Sequence, residues 1–273
     1  MQRFTGRVAV VTGAASGLGA ALARRLAAEG MAVALADIDL QGAREVAAGL
    51  RQNGRNARAF AVDVGEPASI AALAESVADE LGTCALLCPN VGVQQFGPVE
   101  RLSLDEWRWV FGVNVFGAVA CVNAFLPQLR AGEEAHVLFT SSTGALHVSP
   151  RVGVYNASKS ALLSYAETLR LELAEEGIGV SALIPGGMYT THLQSSAAAK
   201  PAGLEAPAFT DEDVAFVGRD MSGEPMVEPD HAIRNLIPAL RADEPYIVTH
   251  PAFRELIEAR FSALRRALDR AGD

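Results

Sequence analysis

Thr12-Gly13-Ala14-Ala15-Ser16-Gly17-Leu18-Gly19 is the stretch that most constrains this chain. It follows an apolar run, Val8 to Val11, and opens an Ala/Leu-rich segment, Ala20 to Ala28. That order reads as strand, glycine turn, helix. Glycines let the backbone come close to a pyrophosphate, and the helix N-terminus presents free N–H groups and a positive dipole end to it. A second signal agrees: Met31 to Ala36 reads as the next buried strand and ends in Asp37. An acid about 20 residues past the glycines, at a strand end, is placed to hold an adenosine ribose.

The rest of the chain repeats the same alternation. Apolar runs at 8–11, 31–36, 59–62, 84–88, 135–140, 178–184 and 246–249 are separated by helix-like segments at 18–29, 40–53, 67–81, 103–130, 154–176, 230–241 and 251–269. Alternation of this kind implies right-handed βαβ units. The expected fold class is α/β, a single-domain doubly wound (Rossmann) seven-stranded parallel sheet with helices on both faces, over residues 1–273. Pro127 is the expected stop of the long 103–130 helix. Residues 191–229 break the pattern, being rich in Ala, Ser, Pro, Gly and acids, and are expected to form a substrate lid at the carboxyl edge of the sheet. In the C-terminal helix, Pro251 suits the first turn, and Phe253, Leu256, Ile257, Phe261, Leu264 and Leu268 make one apolar stripe.

Net charge is −9, which argues against nucleic acid or an anionic membrane as partner. The five histidines and three cysteines show no zinc-site spacing, so no metal is expected. Cys84 and Cys88 share one strand, about 13 Å apart on one face and too far for a disulfide. No apolar h-region opens the chain and no run of 18 apolar residues occurs, so no membrane span and a cytoplasmic location are expected.

Tyr155 and Lys159 lie four residues apart, on one helix face. A free tyrosine has a pKa near 10, and a nearby ammonium favours the phenolate, so the pair is an acid/base unit in prospect. Alone, the spacing far more often describes a surface tyrosine beside a solvated lysine. The run Val137 to Thr140 leads into Ser141-Ser142-Thr143-Gly144 and puts hydroxyls at the ligand edge of the sheet, where a serine can donate to a carbonyl oxygen.

Taken together, the glycine motif, Asn90-Val91-Gly92, Asn114, Ser142, Tyr155/Lys159 and Pro185-Gly186 resemble the short-chain dehydrogenase/reductase family over Gly6 to Thr190. The resemblance implies NAD as cofactor and roles residue by residue. Gly13, Gly17 and Gly19 would line the pyrophosphate with Ser16 and Leu18, and Asp37 would take the ribose hydroxyls with Ile38 beside it. Asp63 and Val64 would flank the adenine, and Asn90 and Gly92 the cofactor. Pro185, Gly186, Met188 and Thr190 would hold the carboxamide. Asn114, Ser142, Tyr155 and Lys159 would form the catalytic set, with Ser142 orienting the substrate oxygen and Lys159 also holding the nicotinamide ribose. Ser16 and Ile38 stand where NADP-using relatives often carry a base.

The sequence also departs from the family's pattern, and Ala85 replaces an acid often seen before the fourth strand's core. Pro89-Asn90-Val91-Gly92 replaces the usual Asn-Asn-Ala-Gly, Met188 stands for Val or Ile, and Tyr246-Ile247-Val248-Thr249-His250-Pro251 replaces the usual glycine-pair ending. That ending, with Phe96-Gly97-Pro98, is similar to bacterial aryl-alcohol Cα-dehydrogenases. The implied activity is hydride transfer between NAD and a small-molecule secondary alcohol or ketone, aryl or alicyclic, in a homodimer or homotetramer. A sugar-nucleotide epimerase or dehydratase is the first alternative, although such relatives favour TGxxGxxG over the TGxxxGxG found here; a non-catalytic nucleotide sensor or scaffold is the second. Gln94, Gln95, Leu146, His147, Val148, Gly187, His192 and Leu193 are candidates to line the substrate pocket. For His147 and His192, the plainer expectation is loop histidines facing solvent.

Overall fold

The structure is a computed structural model that describes residues 1–204, 210, 215, 223 and 225–271. Among the described residues one sheet carries seven strands: β1 Val8–Thr12, β2 Ala32–Asp37, β3 Ala57–Ala61, β4 Cys84–Cys88, β5 His136–Thr140, β6 Gly179–Ile184 and β7 Tyr246–Val248. Every pairing is parallel, in the order β3-β2-β1-β4-β5-β6-β7. The strand order reverses between β1 and β4, which opens a crevice at their carboxyl ends. Strands β1, β4 and β5 are buried along their whole length, as expected where both faces are covered.

The helices are α1 Gly17–Ala28, α2 Leu40–Gln52, α3 Pro67–Glu80, α4 Leu104–Phe111, α5 Gly117–Ala131, α6 Gly153–Leu173, α7 His192–Ala198, α8 Pro229–Ala232, α9 Leu236–Arg241 and α10 Arg254–Ala271. Side chains of α3, α5 and α6 pack on one face around Phe125, Phe139 and Leu162. Side chains of α1, α2 and α9 pack on the other around Leu22, Leu26 and Leu35. Each such fully buried side chain contributes about 1.5–3 kcal/mol over exposure. Phe139 also meets Tyr165 edge-on, with ring centroids 5.6 Å apart. Cys84, Cys88 and Cys121 are buried and free, and burial pushes their thiols up, Cys121 to about 12.

Several expected boundaries are corrected. Pro127 lies inside α5 and does not end it. Instead the 104–131 span is interrupted by a π-helical turn at Gly112–Phe116, where an extra residue is taken up. This span is also long and apolar enough, by length and composition, to cross a membrane; here Cys121, Val122, Phe125 and Leu129 bury its inner face in the core. The expected 230–241 helix is two, α8 and α9. Pro238 has no N–H to bond to the Arg234 carbonyl, so the two helices cannot run on as one. At the C-terminus, Pro251 precedes the helix, because Phe253 takes a left-handed backbone (φ 56°) and α10 begins after it. The apolar stripe of α10 is uncovered: Leu256, Phe261, Leu264 and Leu268 are exposed, whereas Phe253 is buried in the body of the protein.

Residues 205–209, 211–214, 216–222 and 224 of the expected 191–229 lid lie outside the described residues. Its described beginning forms α7, and its two ends are stitched together. Met188 and Val227 form an isolated parallel bridge, with Tyr189 N–H donating to the Val227 carbonyl and Val227 N–H to the Gly187 carbonyl.

Under the amino ends of β5 and β6, His136 is fully buried. The Ser181 hydroxyl donates to the Glu244 carbonyl, so His136 Nε2 must donate to Ser181 Oγ at 2.9 Å. Burial pushes this imidazole down to about 3 and keeps it neutral. A Cβ on Gly179 would overlap His136 Nδ1 and stand 2.7 Å from Asp243 Oδ1. A Cβ on Gly49, in α2, would meet nothing within 4 Å. Gly179→Ala is therefore expected to destabilise by about 1–3 kcal/mol, and Gly49→Ala to stabilise by about 0.5–1 kcal/mol. Thermal melts of both beside the wild type check this; a Gly179→Ala melt matching wild type would contradict the packing described.

Candidate active site

A cavity of about 1290 Å³ opens where β1 and β4 part. Its floor at one end is the turn between β1 and α1. Gly13 takes φ +69° and Gly17 φ +51°, conformations that favour glycine. A Cβ on Gly19 would overlap the Gly13 carbonyl oxygen and stand 2.7 Å from Asn90 Nδ2. Helix α1 can therefore start this close to the strand only because residue 19 has no side chain. Ser16 is its N-cap, and its side chain makes no capping hydrogen bond. The N–H groups of the first turn have no intrahelical partners.

Asp37 stands at the end of β2 on the cavity wall with Ile38 and Asp39. Its carboxylate accepts from Ala15 N–H and Asp39 N–H, both at 2.9 Å, which fixes its position. Asp63 and Val64 line the cavity next. Asp63 Oδ1 accepts from Gly65 N–H at 2.8 Å.

Asn90 joins the strand ends. Its Nδ2 donates to the carbonyls of Thr12 and Gly13, at 3.1 and 3.4 Å, and its Oδ1 accepts from Thr140 Oγ1 at 2.9 Å. The Thr140 carbonyl in turn accepts from Lys159 Nζ at 2.9 Å. Gly92 lets this ammonium approach, since a Cβ there would be 3.1 Å from Nζ. Ser141 and Ser142 both line the cavity here, but Ser141 Oγ donates to the Lys159 carbonyl and ties α6 to β5.

Tyr155, Ser142 and Lys159 meet on that wall. Ser142 hydrogen-bonds the Tyr155 hydroxyl, and Ser142 Oγ also accepts from Gly144 N–H at 3.0 Å. Lys159 Nζ is 5.7 Å from the Tyr155 ring centroid. Burial raises the Tyr155 pKa above its ordinary value, and the Ser142 hydrogen bond pulls it back. Burial also pushes Lys159 down to about 8. The downward shift of Tyr155 expected from Lys159 is thus not present in the protein alone: loss of water sets the direction.

Asn114 is fully buried in the π-helical turn and does not line the cavity. Its side chain grips the Val93 backbone in both directions, accepting from N–H at 2.7 Å and donating to the carbonyl at 2.9 Å. It also donates to Ser158 Oγ at 2.9 Å. It therefore braces the loop in front of Lys159 rather than touching the cavity.

Pro185, Gly186, Gly187, Met188 and Thr190 line the cavity opposite the glycine turn, and the place of a Gly17 Cβ would be 3.5 Å from the Thr190 side chain. Gln94, His147, His192 and Leu193 also line it. Gln95, Leu146 and Val148 do not; Gln95 is buried elsewhere, and Val148 is 71% exposed. The expectation of solvent-facing histidines is overturned. His147 is buried and stacks on Phe253 at 4.1 Å, and His192 lies 6.0 Å from the Tyr155 ring.

Some of the wall was not anticipated. Trp109 and Ser149 line it, as does Phe253. A capping box starts the helix that carries Trp109: Ser103 Oγ accepts from Glu106 N–H and Glu106 from Ser103 N–H. The spacing Ser103-x-x-Glu106 is a signal the sequence did offer. The segment after β7 also belongs here. Thr249 Oγ1 accepts from Gly186 N–H at 3.3 Å, and a Cβ on Gly186 would stand 2.6 Å from Ala252 Cβ.

The cradle fits a dinucleotide. Positive-φ and clash-limited glycines stand at a helix N-terminus, a fixed carboxylate lies where a ribose would sit, and the volume is ample. Comparisons with known proteins agree. A family model described as short chain dehydrogenase matches residues 7–201. The 1-deoxy-11-beta-hydroxypentalenate dehydrogenase of Streptomyces exfoliatus is 38% identical over 222 residues, 80% of this chain and 77% of that protein. The C alpha-dehydrogenase of Sphingobium sp. (strain NBRC 103272 / SYK-6) is 27% identical over 266 residues, 97% of this chain and 87% of that protein. Among solved structures, a short chain dehydrogenase/reductase from Burkholderia phymatum in complex with NAD superposes with TM-score 0.89 at 33% identity, covering 98% of this chain and 97% of that one. A metagenomic short-chain oxidoreductase in complex with NADP superposes with TM-score 0.64 at 33% identity, covering 67% and 83%. A family model that runs from the glycine turn past the cavity's far wall, and a neighbour that follows nearly the whole chain, make this protein an oxidoreductase of the short-chain dehydrogenase family.

Proposed function

We propose that this protein is an NAD-dependent dehydrogenase of secondary alcohols, or a reductase of the matching ketones. The observation that carries the reading is the convergence of Tyr155, Ser142 and Lys159 on the wall of the glycine-cradled cavity. When bound, the nicotinamide would take a hydride from the carbinol carbon, or return one. Tyr155 accepts the hydroxyl proton in oxidation and gives it back in reduction. Ser142, already a hydrogen-bond partner of Tyr155, orients the substrate oxygen. Lys159 is held by the Thr140 carbonyl and keeps a cation beside the phenolate. Asn114 acts one layer back, by holding Val93 and Ser158. The glycine turn, Asp37, Asp63, Val64, Asn90, Gly92 and the 185–190 segment would bind the dinucleotide. The buried free thiols suit a reducing, cytoplasmic setting.

Tyr155→Phe keeps the ring and removes only the proton-transferring group. It is expected to lose nearly all turnover with cofactor still bound. Retention of more than about a tenth of wild-type kcat, an effect below about 1.4 kcal/mol, would remove Tyr155 from the reaction.

NAD is favoured over NADP by the anchored Asp37 carboxylate. A 2′-phosphate at about 4 Å would be repelled by about 4 kcal/mol at an effective dielectric near 20. The two backbone hydrogen bonds on the carboxylate oppose its swinging away. No lysine or arginine lines this end of the cavity among the described residues, and Arg44 lies on the exposed side of α2. The NAD-bound Burkholderia neighbour supports the same choice. We expect kcat/KM to favour NAD by about two decades, or 2.7 kcal/mol, and the ratio to fall in Asp37→Ala. Equal use of both cofactors by the wild type would sink the argument.

The reading includes self-association as a homodimer or homotetramer. Phe116, where the π turn meets α5, and Leu171, on α6, are 64% and 78% exposed on the two long apolar elements. Light scattering is expected to give a multiple of the 28.7 kDa chain mass; the monomer mass at micromolar concentration would refute it.

A further inference from the structure

The end of the cavity away from the glycine turn is mostly apolar, walled by Val93, Phe96, Trp109, Val152, Leu193 and Phe253. Among the buried polar atoms of the cavity wall that find no hydrogen-bond partner among the described residues are His192 Nε2 and Ser149 Oγ. Buried polar atoms are rarely left so, and those aimed into a ligand cavity are the ones a ligand can satisfy.

His192 is also the better placed of the two. Its ring is 6.0 Å from the Tyr155 ring and tilted by 57°. Its backbone is tied to its own segment, and through Ser196 to Gln94. His192 N–H donates to Thr190 Oγ1 at 3.3 Å, and the hydroxyls of Ser195 and Ser196 donate to the His192 carbonyl at 3.1 and 2.7 Å. Ser196 Oγ then accepts from Gln94 N–H, on the opposite wall, at 3.1 Å.

Burial and the Lys159 ammonium push the imidazole down to about 4, so at neutral pH it is uncharged. A neutral ring has one donor and one acceptor nitrogen, and which one is Nε2 depends on the tautomer. A hydroxyl matches either state, whereas an ether or ketone oxygen matches only the donor. A carboxylate would find no arginine among the described lining residues.

We infer that His192 is a specificity-determining residue whose Nε2 hydrogen-bonds a second hydroxyl of the substrate, close to the carbinol that Tyr155 handles. The preferred substrates are then hydroxylated secondary alcohols with a bulky apolar body, the body lying against Trp109 and Phe253. This rests on the proposed dehydrogenase activity and narrows its substrate class.

The test uses matched pairs with and without the second hydroxyl, such as 1-phenyl-1,2-ethanediol beside 1-phenylethanol, and the same pair with a cyclohexyl body. NAD reduction gives kcat and KM for wild type, His192→Leu and His192→Gln. Wild type is expected to favour the diol. In His192→Leu that preference should shrink about tenfold or more, a loss the size of one buried hydrogen bond, chiefly through KM. His192→Gln, which can still bond a hydroxyl, should recover part of it. A merely structural role would lower both members of a pair alike and leave the ratio unchanged, which overturns the proposal. So does a wild type that prefers the alcohol without the second hydroxyl. A wild type that oxidises no member of any pair overturns the dehydrogenase reading itself, and the role of His192 with it.

Discussion

The side-chain amide of Asn90 holds together parts of the site that lie far apart in the chain. It reaches the Thr12 and Gly13 carbonyls on one side and the Thr140 hydroxyl on the other, and Thr140 in turn holds Lys159. The carboxyl ends of parallel strands β1, β4 and β5 are thus joined through one side-chain amide. Such a network is strong inside a protein because each bond polarises the next and water does not compete. It also makes the glycine turn and the lysine interdependent: moving one strand end by the width of a methyl group would disturb both.

Electrostatics sharpen this dependence. Tyr155 is buried deeply enough that its phenol is harder to ionise than in water, and Lys159 close by is easier to discharge. Desolvation penalises the charged form of each, so neither group is activated by burial alone. What favours the charged pair is the fixed hydrogen bonding around it, from Ser142 to the phenol oxygen and from the ammonium to Thr140. The architecture holds these partners in place before any substrate arrives, and preorganisation of that kind is where catalytic electrostatics act.

Local motifs were legible in the sequence because each is carried by neighbouring residues. The glycine turn and Asp37 are one βαβ unit, and Tyr155 and Lys159 are one helical turn. The parallel sheet followed from alternation alone. The substrate wall was legible only in part: Gln94, His147, Gly187, His192 and Leu193 do line it, but chain order says little about which other distant segments converge. Phe253 meets His147, and Gln94 meets Ser196, across about a hundred residues of chain. Asn114 was recognisable by its place in the motif order, yet its retreat behind Val93 comes from a π turn that no periodicity announced. The histidines misled because loops are usually wet; His147 is covered by Phe253, and His192 opens α7 with its Nε2 buried.

The bridge between Met188 and Val227 has a mechanical meaning. It closes the 189–226 excursion at its base, directly beside the segment that faces the glycine turn. A loop pinned this way can change length at little cost, because closure entropy grows only with the logarithm of the number of residues. The chain between the two pins can therefore be rewritten without shifting Tyr155, Ser142 or Lys159. The chain above the bridge and the catalytic wall below it are then mechanically separate parts of one fold.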